Sequence, residues 1–396
     1  MAGYELLAPV GNFHNLRAAI DGGADAVYFG LRGFNMRAGA KNFSIKDLEK
    51  IEKLCKGDEK KISMYLTLNT IIYDGEEKKV EDLIKKVRKK IDAVICWDPL
   101  VIELCRKYGV EFHISTQASV SNSSSAKFYK KLGAKRIVLA RELNLKQIKK
   151  ISKIIDVECF AHGAMCVAIS GRCFMSEHVH GLSANRGKCA QLCRRQWKIT
   201  DDAGNELRLE RSRVLSAKDL CTLPFIEKMK ASGIKSFKIE GRGRSAEYVK
   251  TVVWVYRRAL DKKLGKAEIE DGLRELRRVY NRGFSSGFYL GTPSSDDFSD
   301  SRYGEQEERK EFVGKVLKVW KKLSVGLVRL NAGKIREGDF VYLLGNSRSI
   351  QRSTVKSIEI DGKRVAVATK GQEAGVKFDT IPRKGEEVYV IRKVKR

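Results

Sequence analysis

Eight short apolar runs, spread over the first 245 residues and separated by amphipathic segments, constrain this chain more than any other feature. They are "YELLAP" (4–9), "AVYFG" (26–30), "ISMYLTLN" (62–69), "AVICW" (93–97), "FHIST" (112–116), "RIVLA" (136–140), "VECFAHG" (157–163) and "SFKIEG" (236–241). Between them "NLRAAIDGGA", "VEDLIKKVRKKI", "AKFYKKLGA", "LKQIKKISKII" and "LPFIEKMKASG" carry helical patterning. Eight strands alternating with helices over this length predict a (β/α)8, TIM-barrel-like domain. A doubly wound open sheet has the same alternation and is the competing expectation.

In a barrel of this kind, chemistry sits at the C-terminal strand ends. That rule singles out Gly30, Asn69, Gln117, Arg141, His162, Glu240 and Arg242. His162, Glu240 and Arg242 are the catalytic candidates. Arg37, Arg141, Lys238 and Arg242 are suited to bind a dicarboxylate or a phosphate, because guanidinium and ammonium groups offer several charged donors. Pairing with Glu5, Glu142 or Glu240 would account for them equally well. Asn69 and Gln117 are candidates for hydrogen bonds to substrate, or for simple loop capping.

The barrel is expected to span 1–245, with a cysteine-rich insertion at about 164–220. A helical extension and connector should follow at 246–310. From 311 onward the pattern changes to six β-like runs, "FVGKVLKVW", "LSVGLVRL", "GDFVYLLG", "STVKSIEI", "RVAVAT" and "EEVYVIRK", which predict a small β-barrel. This last region holds 20 Lys and Arg against 9 Asp and Glu, a balance fitting an RNA-docking module, a structural cap being the alternative.

Charge points the same way for the chain as a whole. With 78 Lys and Arg against 49 Asp and Glu, the net charge is +29, and a polyanion, nucleic acid first, is the expected partner. No stretch is apolar enough for a membrane helix, and the start "MAGYELLAPVGN" shows neither a secretory signal nor a transit peptide. A cytoplasmic location is expected, where the nine cysteines would stay reduced.

Four of those cysteines are clustered. Cys166, Cys173, Cys189 and Cys193 follow the spacing C-x6-C-x15-C-x3-C, with Cys221 further on. Four thiolates on glycine-rich loops suit a zinc ion or an iron–sulfur cluster. The gaps fit paired zinc knuckles poorly, and a [4Fe-4S] cluster tolerates irregular spacing better. His162, four residues before Cys166, raises a thiol-peptidase reading, but one nucleophile leaves the other cysteines unexplained.

Ordered motifs along the chain then carry a family resemblance: "ELLAPVGNFHNLRAAIDGGADAVYFG", "NMRAGAKNF", "STQASVSN", "FAHGAMCVAISGRCFMS", "NRGKCAQLCRR", "LSAKDLC" and "KIEGRGRSAEYV". The chain resembles the peptidase U32 family, also described as collagenase-like proteases, some of whose members hydroxylate RNA. The resemblance implies a TIM-barrel-like catalytic domain and a U32 C-terminal domain. It also implies a [4Fe-4S] cluster held by Cys166, Cys173, Cys189 and Cys193. Some relatives take a ligand from further downstream, which makes Cys221 the alternative fourth ligand. The implied activity is hydroxylation of a pyrimidine in transfer or ribosomal RNA, with prephenate as hydroxyl source and the wobble uridine of tRNA, converted to 5-hydroxyuridine, as the expected target. A U32 peptidase is the alternative activity. An RNA-binding accessory subunit with a structural cluster is the third.

Overall fold

The computed structural model describes residues 3–39, 41–57, 61–207, 215–301, 304–345 and 348–394. Eight parallel strands form the centre: β1 (Glu5–Pro9), β2 (Ala26–Phe29), β3 (Ser63–Leu68), β4 (Ala93–Cys96), β5 (Phe112–Ile114), β6 (Arg136–Val138), β7 (Asp156–Gly163) and β8 (Ser236–Ile239). Each pairs with its neighbour in sequence, and β8 pairs with both β7 and β1. The sheet therefore closes, which excludes the open doubly wound arrangement. Closure leaves every strand with an inner and a helix-covered face, so runs such as Leu6, Leu7 and Ala8 are wholly buried.

The strand-to-helix turns show why the sequence breaks where it does. Asn12, Asn122 and Asn144 cap the helices that follow β1, β5 and β6, and Asp98 with Pro99 starts the helix after β4. Inside the barrel, Leu7, Ala26, Tyr28, Tyr65, Ala93 and Ile95 form one packed cluster. Below the mouth the charges pair off. Arg136 pairs with Glu5 and lies 3.6 Å from Glu158, which takes a 2.7 Å bond from Lys238.

The first compact unit runs from Met1 to Glu305. The boundary expected at 245 moves accordingly. Helix Ala246–Asp261 packs its Val249, Val252, Val253 and Tyr256 face into the core and serves as the eighth helix of the barrel. Two short strands extend the sheet at one point. Asp219–Cys221 runs antiparallel to the end of β7, setting Leu220 opposite Gly163 and Cys221 opposite His162, and Phe284–Ser285 pairs with it in turn.

The second unit, Gln306–Arg396, is an antiparallel barrel. Its strands are β9 (Glu308–Trp320), β10 (Val325–Leu330), β11 (Phe340–Leu344), β12 (Gln351–Ile360), β13 (Glu373–Phe378) and β14 (Glu387–Lys393). The order β11-β14-β9-β10-β13-β12 closes through a β11–β12 pairing. One expected strand is corrected. "RVAVAT" splits into a hairpin end, Lys363–Val365, and a short piece, Val367–Thr369, which pairs with Lys334–Arg336. The missing barrel strand is "EAGVKF", whose Ala374, Val376 and Phe378 point inward while Glu373, Gly375 and Lys377 dilute its apolar signal.

Candidate active site

The C-terminal ends of the barrel strands meet around a small cavity. It is lined by Tyr28, Arg37, Thr67, Asn69, Gln117, Lys238, Glu240 and Arg242, among others. Glu240 is the centre of its charge. Arg37 donates from Nη2 to Glu240 Oε1 at 3.1 Å. Burial pushes the Glu240 carboxyl up, but Arg37, Arg242 and Arg141 outweigh it and hold the group below its ordinary value, so it stays ionised.

Arg242 has a different setting. Its Nη1 donates to Thr67 Oγ1 at 2.9 Å and to Asn35 Oδ1 at 3.2 Å, both neutral acceptors. It is 4% exposed, and burial followed by the neighbouring Arg37 brings its guanidinium down to about 10. Tyr28 donates to the Ile239 carbonyl at 2.8 Å and lies 3.5 Å from Glu240 Oε2. Burial and Glu240 keep its phenol protonated. Asn69 Oδ1 accepts from the Met36 amide at 3.3 Å, and Gln117 Oε1 accepts from the Ser115 hydroxyl.

A second, larger cavity, of about 320 Å³, shares Thr116 and Ser170 with the first. Arg141 and Cys166 both line it. Arg141 stacks on Phe160 with its guanidinium carbon 4.3 Å from the ring centroid, and donates from both Nη atoms to the Ala164 carbonyl at 3.1 and 3.2 Å. Its Nε is buried with no partner. Glu142, the expected competitor for Arg141, is exposed on the rim. Among the described residues neither Arg141 nor Arg242 is in an ion pair. Three guanidiniums therefore face a single buried carboxylate, Glu240, an excess of two positive charges.

The cysteine-bearing connector is tied down beside this mouth by arginines. Arg186 holds the Glu76 carboxylate through two bonds, 2.8 and 2.6 Å. Arg194 donates to the Met165 and Ala217 carbonyls and to Ser216 Oγ, joining the segment before Cys166 to the segment after Cys193. Two glycines are obligatory at the contacts. Gly163, at φ +106, leaves no room for a Cβ, which would fall 2.4 Å from the Glu240 carbonyl oxygen, and a Cβ on Gly187 would fall 2.4 Å from that of Asn35.

The thiols divide into two groups. Burial raises the Cys193 thiol, Arg194 offsets part of that, and Cys166, Cys189 and Cys173 raise it further, so these four share one neighbourhood. No three His, Cys, Asp or Glu among the described residues converge as a ready-made metal site. The donor chemistry of the four thiols suits a soft metal centre, and binding one would require the connector to draw them together. Cys221 is apart from them. It is 4% exposed, lies 3.7 Å from the Tyr256 hydroxyl, and is pushed up to about 11 by burial.

A model of peptidase family U32 matches residues 11–299. This chain belongs to peptidase family U32. Among its U32 relatives, a protein of Porphyromonas gingivalis named collagenase is 38% identical over 98% of this chain and 97% of its own length. The tRNA hydroxylation protein P1 of Bacillus subtilis is 37% identical over 79% of this chain and 77% of its own. The 23S rRNA 5-hydroxycytidine C2501 synthase of Escherichia coli is 41% identical over 65% of this chain and 39% of its own.

Of the strand-end residues anticipated in this U32 chain, Arg37, Asn69, Gln117, Lys238, Glu240 and Arg242 line the inner cavity and Arg141 the outer one. Lys238 is engaged, through its bond to Glu158, in the neutral pairing below. His162 is a correction. It lines neither cavity and is 1% exposed, packed against Tyr248, Tyr256 and Phe284, with Nδ1 3.4 Å from the Tyr256 hydroxyl. Burial lowers it to about 3, so it is a neutral core histidine. Tyr28 and Asn35 were missed: Tyr28 is the middle residue of the predicted strand "AVYFG", where strand ends drew the attention, and Asn35 opens the "NMRAG" loop. Among the described residues no helix is long and apolar enough to cross a membrane.

Proposed function

We propose that this chain hydroxylates a pyrimidine of RNA, converting the wobble uridine of tRNA to 5-hydroxyuridine with prephenate as hydroxyl donor. The observation that carries the reading is the pair of excess buried cations at a barrel mouth that also borders Cys166. Prephenate is a dicarboxylate, and Arg242 at the floor with Arg141 in the adjoining cavity would match its two charges, as planar guanidiniums favour carboxylates. Relatives named as tRNA and rRNA hydroxylating proteins support RNA as the acceptor. Cys166, Cys173, Cys189 and Cys193 would hold a [4Fe-4S] cluster, which when bound supplies redox chemistry or a ligand position beside the substrate. In this scheme Arg37 keeps Glu240 ionised, Tyr28 is the neutral proton carrier nearest that carboxylate, and Asn69 and Gln117 orient uncharged parts of the substrate.

Nucleoside analysis of RNA from a deletion strain tests the proposal. One hydroxylated pyrimidine should vanish and return with the wild-type gene but not with an Arg242→Met copy. An unchanged profile would remove the hydroxylase reading. The similarity to a protein named collagenase favours a second reading, a peptidase. Degradation of gelatin by iron-free protein, blocked by alkylation, would support it. A thiol mechanism would need a base other than His162, which is sealed in the core.

A further inference from the structure

Strand alternation in the second unit sends Val313, Val341, Leu343, Val388 and Val390 into the barrel and turns their neighbours outward. Register sets Phe312 on β9 opposite Tyr389 on β14, Tyr389 opposite Tyr342 on β11, and Tyr342 opposite Arg352 on β12. One file of rings thus crosses the outer surface and ends on a cation. Phe340, two residues before Tyr342, lies on the same face. Phe340 is 52% exposed and Phe312 39% exposed. The Phe312 and Tyr389 rings meet edge to face with centroids 5.5 Å apart.

Cations lie over two of these rings. Lys310 Nζ is 5.0 Å from the Tyr389 centroid, and the Arg352 guanidinium carbon is 5.0 Å from that of Phe340. Glu308 stands 3.5 Å from Arg352, and Glu387 accepts from the Tyr389 hydroxyl at 2.6 Å, so acids at the edge hold cation and ring in place. The unit carries 22 Lys and Arg against 11 Asp and Glu. A partner must therefore be polyanionic and must also offer flat apolar faces. Single-stranded nucleic acid has both, whereas a duplex hides its base faces and an acidic polypeptide has no stacked planes.

We infer that this face is a stacking platform for single-stranded RNA, with bases on Phe312, Tyr389 and Phe340 and phosphates on Lys310 and Arg352. The three strands involved spread the rings over about 10 Å, enough for two or three splayed bases. RNA as the polymer rests on the proposed hydroxylation, but binding is measured without turnover, so the two can fail separately.

The test uses the full-length protein, fluorescence anisotropy, and three probes: a labelled oligouridine, an RNA duplex of equal charge, and polyglutamate. Phe340→Ala and Tyr389→Ala should each weaken oligouridine binding about tenfold or more, and Tyr389→Phe should not. Polyglutamate binding should be unmoved by the ring variants, and Lys310→Ala should flatten the salt dependence of oligouridine binding. Because the rings point outward, circular dichroism should match the wild type. Undiminished oligouridine binding by both alanine variants, tighter binding of the duplex, or an equal loss of polyglutamate would overturn the platform. Ring-dependent binding alongside an unchanged nucleoside profile would leave it standing and remove only the hydroxylase reading.

Discussion

Replacing Arg242 by methionine should leave the ligand-free protein about as stable as the wild type while removing most of its response to a dicarboxylate. Burial depresses this guanidinium from its ordinary value to about 10, a differential of about 3 kcal/mol against the charged form. The sign follows from the folded value lying below the unfolded one. The cost is present in full at every pH below about 10 and fades above it, as the folded chain gives up a proton that the unfolded chain still holds. Methionine removes that cost and also removes the charge-assisted bonds to Thr67 and Asn35, at least roughly 1.5 kcal/mol each. The two effects cancel to within about 1 kcal/mol, so the melting temperature should stay within about 2–4 °C of the wild type.

Ligand should separate the two. Prephenate at a hundred times its Kd should stabilise the wild type by about 2.7 kcal/mol. Loss of a buried charge contact costs about 3 kcal/mol, which raises Kd about a hundredfold and leaves under about 0.5 kcal/mol of stabilisation at the same concentration. Thermal unfolding with and without prephenate measures both quantities. A variant that melts several degrees lower without ligand yet keeps the full prephenate shift would refute the assignment of Arg242 as an anion anchor and make it a structural residue.

Three further outcomes follow from the geometry. Cys193→Ser should reduce iron per chain in anaerobically purified protein to a small fraction of the wild-type value, whereas Cys221→Ser should retain it, because Cys221 faces Tyr256 rather than the other thiols. His162→Phe should flatten the acid limb of the stability curve. His162 titrates near 3 when folded and at about 6.5 unfolded, so stability falls as pH drops through that window, by up to about 5 kcal/mol; equal acid limbs in urea titrations would contradict its burial as a neutral group. Gly163→Ala should cost several kcal/mol and lower the yield of soluble protein, since its φ is +106 and the Glu240 carbonyl fills the Cβ position.

The barrel was legible because parallel strands buried on both faces leave unbroken apolar runs, and all eight appear where "YELLAP" through "SFKIEG" place them. Strand ends also located most of the cavity wall, since position on a barrel follows from position along a strand. His162 escaped that logic. Its surroundings come from Tyr256 and Phe284, 94 and 122 residues away, and from an extra antiparallel strand that no local pattern announces. Strand β13 was hidden for a compositional reason, with three inward residues in "EAGVKF" alternating with Glu, Gly and Lys. The charge excess at the mouth was equally invisible, because it depends on which arginines find carboxylates.

The pairing of Leu220 with Gly163 and Cys221 with His162 brings the two ends of the cysteine-bearing connector side by side on two antiparallel strands. The barrel thus meets that whole excursion as though it were the tip of a hairpin. Its length costs the fold only a slowly growing closure entropy, so the segment can lengthen, shorten or be exchanged for a tight turn without altering the register of the eight strands. In engineering terms it is a cassette: a chimera carrying another connector between Gly163 and Leu220 would keep the register of the eight strands, while the contacts that Ala164, Arg186 and Gly187 make with the mouth would have to be rebuilt.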